Sequence, residues 1–67
     1  MNYEYWVNVD VLNDDGTTWK HLSVGRSVRK SAEKLAEDLF VSFKEIGLRA
    51  QIRVRRSTDL LISLTTD

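Results

Sequence analysis

The chain has 67 residues, 42% of them hydrophobic and 30% charged, and its ten basic and ten acidic side chains give a formal net charge of zero. This length allows one domain with a small core, and the composition fits an ordered chain rather than a disordered tail. The absence of cysteine excludes disulfide and zinc–thiolate staples, and the balanced charge argues against indiscriminate binding to polyanions.

Residues 3–12 read as the first strand. Tyr3, Tyr5, Val7, Val9 and Val11 alternate with Glu4, Trp6, Asn8 and Asp10, the period of a sheet with one buried side. Asn13-Asp14-Asp15-Gly16-Thr17 reads as a hairpin turn, and residues 18–24 as the returning strand. Two phases are open for this hairpin. A two- or four-residue loop sets Leu22 and Val24 beside Val7 and Val9, and puts Trp19 and His21 with Trp6 and Asp10. A three-residue loop with a glycine bulge exchanges the two sets. The first is preferred because it buries two aliphatics beside the valines.

Residues 28–46 read as a helix. Val28, Ala32, Leu35, Ala36, Leu39, Phe43 and Ile46 form one apolar stripe. Ser27 is the expected N-cap, and Gly47 and Leu48 the expected C-terminal closure. Phe40 falls on the flank of the stripe, and Val41 points away from it. Residues 49–56 and 60–65 read as the last two strands, joined by a three-residue loop, Arg56-Ser57-Thr58. That loop sets Ala50, Ile52 and Val54 beside Leu60, Ile62 and Leu64. Thr66 and Asp67 are expected to fray.

The order is therefore ββαββ, an α+β domain over residues 1–67. The crossover returns the chain to the starting end of strand 2, so strand 3 runs parallel to it. Placing strand 3 beside strand 1 makes all neighbours antiparallel, in the order 2-1-3-4 with a right-handed crossover. One helix covers one face, and the other face is open.

That open face holds the candidate site. Strand 3 alternates apolar residues with arginine along Ala50-Gln51-Ile52-Arg53-Val54-Arg55-Arg56. The outward residues on the two central strands are then Glu4, Trp6, Asn8 and Asp10 against Arg49, Gln51, Arg53 and Arg55. Cross-strand pairing of acids with arginines is expected to help set the register. The plain alternative is a solvated face whose salt bridges contribute at most ~1 kcal/mol each, but a tryptophan on such a face calls for a cover. Tryptophan and arginine are typical anchors of protein interfaces. Trp6, Asp10, Trp19, His21, Arg49, Arg53 and Arg55 are thus the expected partner-binding residues, and another protein is the expected partner. Nucleic acid is the alternative, held by Arg26, Arg29 and Lys30 at the helix start together with Arg53, Arg55 and Arg56. A homodimer through the open face or through edge strands 2 and 4 is a third reading.

Catalytic chemistry is not expected. His21 is the sole histidine, and on a strand it stands ~6–7 Å from Ser23, with no oxyanion loop. Asp14 and Asp15 lack the spacing of a calcium loop, and the three glycines are too dispersed to cradle phosphate. A pocket of ~300 Å³ is hard to build under one helix. No cofactor or metal is expected. No apolar run reaches the ~18 residues of a membrane span. The first residues lack the layout of a signal peptide, so the expected location is cytoplasmic.

Three likenesses follow from these patterns. Residues 5–39, with strand, Asp15-Gly16 turn, strand and then Ser31-Ala32-Glu33-Lys34-Leu35-Ala36, resemble the small arm-site DNA-binding modules of tyrosine recombinases. That resemblance implies DNA reading by a sheet, with Trp19 and Lys20 on it. The family places three strands before its helix, and this chain has two. Residues 32–64, with Ala32-x-x-Leu35-Ala36, Gly47-Leu48-x-Ala50 and a hairpin, are similar to the second half of a peptidoglycan-binding SPOR repeat. In size and style the chain is also similar to the small inhibitors that phages make against host enzymes and defence systems. The first two are generic helix-on-sheet patterns, and no membership is drawn from them.

Overall fold

The computed structural model describes residues 3–66. Strands β1 (Tyr5–Leu12) and β2 (Thr18–Arg26) precede helix α1 (Arg29–Glu45), and β3 (Ala50–Arg56) and β4 (Asp59–Thr65) follow it. The sheet order is β2-β1-β3-β4 with every neighbour antiparallel, the α+β arrangement expected from the alternation. Val7, Val9, Val11, Ala50, Ile52 and Val54 are buried on one side of the two central strands. Ala32 and Ala36 are buried against them, and Leu35, Leu39, Phe40 and Phe43 pack around this contact. Two alanines at the centre of the contact let the helix backbone come close to the valine layer. Full burial of each such aliphatic side chain is worth about 1.5–3 kcal/mol.

The helix ends differ from expectation at one end and agree at the other. Val28, not Ser27, is the N-cap residue, and it makes no side-chain cap hydrogen bond. Both Val28 and Ile46 are exposed rather than in the stripe, because they flank the helix instead of lying within it. At the C-terminus Gly47 has φ +75°. The Leu48 N–H donates to the Phe43 carbonyl at 2.9 Å and the Gly47 N–H to the Lys44 carbonyl at 3.2 Å, the pair of bonds of a Schellman closure.

The first hairpin combines the two phases that the sequence left open. The Asn13 N–H donates to the Thr17 carbonyl at 2.7 Å, the Gly16 N–H to the Asn13 carbonyl at 3.0 Å, and Gly16 has φ +89°. This is a three-residue glycine turn. Taken alone it would bury Trp19 and His21. A bulge intervenes: Leu12 pairs with Thr18, Val11 pairs with Lys20, and Trp19 is the unmatched residue between them. Beyond it Val9 faces Leu22 and Val7 faces Val24, so the aliphatics return to the helix side.

The second hairpin corrects two expectations. Arg56 pairs with Asp59, which leaves a two-residue loop, Ser57-Thr58, rather than three residues. Ser57 takes φ +56°, the positive value a two-residue hairpin loop requires. Arg55 then pairs with Leu60, and after a bulge Val54 pairs with Ile62 and Ile52 with Leu64. Leu61 is the unmatched residue. The pairing has moved two residues from the expected one, and Leu60 lies across from Arg55 instead of Val54. Thr66 does not fray. It is 4% exposed, its hydroxyl donates to the Leu48 carbonyl at 2.7 Å, and it accepts the Ala50 N–H at 2.9 Å. Asp67 lies outside the described residues.

Candidate open sheet face

The sheet face away from the helix is organised in transverse rows, because directly paired residues share a face. Gly25, Trp6, Arg55 and Leu60 form one row, Ser23, Asn8, Arg53 and Ser63 the next, and His21, Asp10, Gln51 and Thr65 the third. These rows bring together five of the expected partner-binding residues: Trp6, Asp10, His21, Arg53 and Arg55.

Of the acid–arginine pairing expected between the first and third strands, Glu4 meets Arg56 at the end of the pair, 3.8 Å from Oε2 to Nε, but Arg53 and Arg55 take no part in it. Arg55 lies between Trp6 and Leu60, and Arg53 between Asn8 and Ser63. Arg53 donates to Gln51 Oε1 at 2.9 Å, two residues away on its own strand. Neither arginine meets a carboxylate among the described residues. Both are half-buried, and they stand about 7 Å apart along the strand. Asp10 instead pairs outward with His21, Oδ1 to Nδ1 at 2.6 Å. The Ser23 hydroxyl donates to Asn8 Oδ1, so Ser23 and His21 are engaged in separate rows and form no nucleophile–base pair.

Beside Arg55 lies an aromatic cluster that sequence reading missed. Tyr3 was assigned to the buried side of the first strand. It precedes β1, and its ring meets Trp6 edge-to-face at 5.8 Å between centroids. A Cβ on Gly25 would come within 2.4 Å of that ring, so the glycine is what lets the tyrosine cover this spot. A glycine inside a strand pattern is a signal for such close approach. Tyr3 is 43%, Trp6 39% and Leu60 49% exposed; Trp6 and Leu60 flank Arg55 within its row, and Tyr3 lies over Gly25 in the same row.

Two expected partner residues fall outside these rows. Trp19 is the bulge residue, 56% exposed at the outer edge. Arg49 precedes β3, where its guanidinium donates to the Asp14 carbonyl at 3.0 Å and its carbonyl accepts the Leu12 N–H at 2.8 Å. It ties the first turn down rather than facing a guest. Glu4 likewise precedes β1, with Arg56 Nε 3.8 Å from its Oε2.

Of the cations named for nucleic acid, Arg26, Arg29, Lys30, Arg55 and Arg56 gather at one end of the molecule, and Arg53 stands further along β3. Tyr5 is flanked by Arg26 on one side and Arg56 on the other, and the helix begins three residues after Arg26. The Arg56 guanidinium lies 5.8 Å from the Tyr5 ring centroid. Arg29 is paired with Glu33 at 2.8 Å, which lowers the positive charge available there.

At the opposite end, an open depression of about 400 Å³ lies beside the helix C-terminus, lined by Lys44, Gly47, Leu48, Arg49 and Thr66. It lies at the end of the helix rather than under it, which the volume argument from sequence did not anticipate. Among the described residues its lining holds no acid or histidine, and the Thr66 hydroxyl is spent on the backbone. Among the described residues no three His, Asp or Glu side chains are grouped to hold a metal ion, and no helix is long and apolar enough to cross a membrane. Comparison with protein families, with curated proteins and with solved structures gave no match.

Proposed function

We propose that this chain is a non-enzymatic protein-binding module that blocks a surface of its partner with the open sheet face. The observation that carries the reading is a pair of half-buried arginines, Arg53 and Arg55, that form no ion pair among the described residues and have an exposed aromatic cluster next to them. Unbalanced guanidinium groups beside apolar surface suit a partner that supplies both carboxylates and an apolar anchor. Trp6, Arg53 and Arg55 are the principal contacts, and the Ser23, Asn8 and Ser63 row offers hydrogen bonds around them. The role fits an inhibitor or adaptor of the kind carried by phages and other mobile elements, acting in the cytoplasm. The test is capture of the partner from the native host, followed by affinity measurement with a Trp6→Ala/Arg53→Ala variant. The expected result is a loss of binding of at least a hundredfold with the circular dichroism spectrum unchanged. Unaltered affinity in a folded double variant would remove the open face from the mechanism.

A second reading rests on the clustering of Arg26, Arg29, Lys30, Arg55 and Arg56 at one end. These cations suit a phosphate backbone. The Glu4 and Glu33 ion pairs and the zero net charge weigh against it. It predicts a complex with single- or double-stranded nucleic acid that weakens steeply with salt. A gel shift at low salt that shows free probe only would dismiss it.

A further inference from the structure

We infer that β4 is a self-pairing edge, and that two copies of this chain join there into one continuous eight-stranded antiparallel sheet. The inference is independent of what the open face binds. An outer strand presents unpaired backbone N–H and C=O groups along one side, and soluble proteins guard such edges with charge, proline or bulges. The two edges here are unequally guarded. Both are bulged, β2 at Trp19 and β4 at Leu61, but β2 also carries Lys20, His21 and Arg26. From Leu60 to Thr66 the chain has no charged residue and no proline. Leu60 is 49% exposed, and Leu61, Ile62 and Leu64 are only half-buried, because the helix is centred over β1 and β3.

Charge decides which pairing suits these edges. Two β2 strands would bring together cations alone. Two β4 strands related by a two-fold axis bring together an uncharged run, and each Asp59 goes to the opposite end of the joint. That arrangement is isologous, so it closes after two copies and leaves the guarded β2 edges outermost. Joining β4 to the β2 of a neighbour would pair Asp59 with cations, but it repeats without limit. In the two-fold dimer the half-covered Ile62 and Leu64 side chains of both copies meet on the helix side and extend the core across the joint.

An edge joint is smaller than the ~800 Å² per partner of a standard interface, so a dissociation constant of about 1–100 µM is expected. Sedimentation from about 1 µM to 1 mM should show the mass rising from one 7.8 kDa unit to two. The absence of native cysteine permits a direct map of the joint. Ser23 and Ser63 occupy the same transverse row on the two outer strands. Under mild oxidation, the faster of S63C and T65C should crosslink between copies at least tenfold faster than S23C. Ser63→Lys, on an exposed position, should weaken the dimer at least tenfold while the spectrum of the fold is retained. A chain that is monomeric at 1 mM overturns the inference. So does a folded Ser63→Lys variant that dimerises as before, or crosslinking that is equal or faster at S23C.

Discussion

In the β1–β2 hairpin the unmatched residue is Trp19, left 56% exposed at an outer edge, whereas in the β3–β4 hairpin it is Leu61, half-buried against the core. Each hairpin faces the same conflict. Local turn chemistry sets one phase, three residues closed by Gly16 in the first and two residues opened by Ser57 in the second. Placing Leu22 and Val24, or Ile62 and Leu64, on the helix side requires the other phase. A one-residue slip would turn every side chain to the wrong face, so the excess residue is placed in a bulge. The two solutions differ in what they leave outside. The first edge keeps cations and an indole at its rim, and the second keeps aliphatics.

The sharpest break of this comparison lies in the layer beneath the hairpins. Ile52→Ala, at a fully buried site on β3, should cost about 2–5 kcal/mol. Leu22→Ala, at a site 40% exposed on β2, should cost about 1 kcal/mol. Urea denaturation decides it, and equal losses would mean that both hairpins carry the core alike. Thr66→Val should cost about 1–3 kcal/mol, because the Leu48 carbonyl and the Ala50 N–H lose their partner in a buried place. Faster amide exchange at Ala50 in that variant would locate the loss.

The bulges themselves offer a smaller test. Deletion of Leu61 removes a half-buried leucine but keeps every paired partner, and should cost about 1–2 kcal/mol. Deletion of Trp19 also keeps the partners and removes only an exposed ring, so its effect should stay within about 1 kcal/mol. Reversal of that order would show that the indole, not the leucine, is the structural bulge. The smallest effect belongs to the first turn. The Thr17 hydroxyl and N–H both donate to Asp15, at 2.6 and 2.9 Å, and hold its exposed carboxyl below the ordinary aspartate range. A lowered folded value means that the support is present above the unfolded pKa and is lost as pH falls through the folded one. The Thr17 amide resonance should therefore titrate at lower pH than an ordinary aspartate would impose, and Asp15→Asn should abolish the titration.

Much of this architecture was legible in the residues. The alternation of Tyr5, Val7, Val9 and Val11, the stripe from Ala32 to Phe43 and the closure at Gly47 and Leu48 specify the element order. The antiparallel requirement then yields β2-β1-β3-β4. The site was legible in part. Trp6, Asp10, His21, Arg53 and Arg55 do share a face, but Tyr3, Leu60 and Gly25 were missed, and Arg49 and Trp19 fall outside its rows. Tyr3 precedes its strand, so period-two counting cannot place it. Leu60 depends on a loop whose length no glycine announces.

What the sequence by itself determined is the set of elements, their order and the apolar side of each, because burial periodicity is written within a single segment. What only the tertiary structure decided is which residues stand opposite one another: Trp6 beside Arg55, Asn8 beside Arg53, Thr66 clamped to Leu48 and Ala50. Those neighbours depend on turn length and bulge position together. The compromise between them is settled by packing across strands that are far apart in the chain.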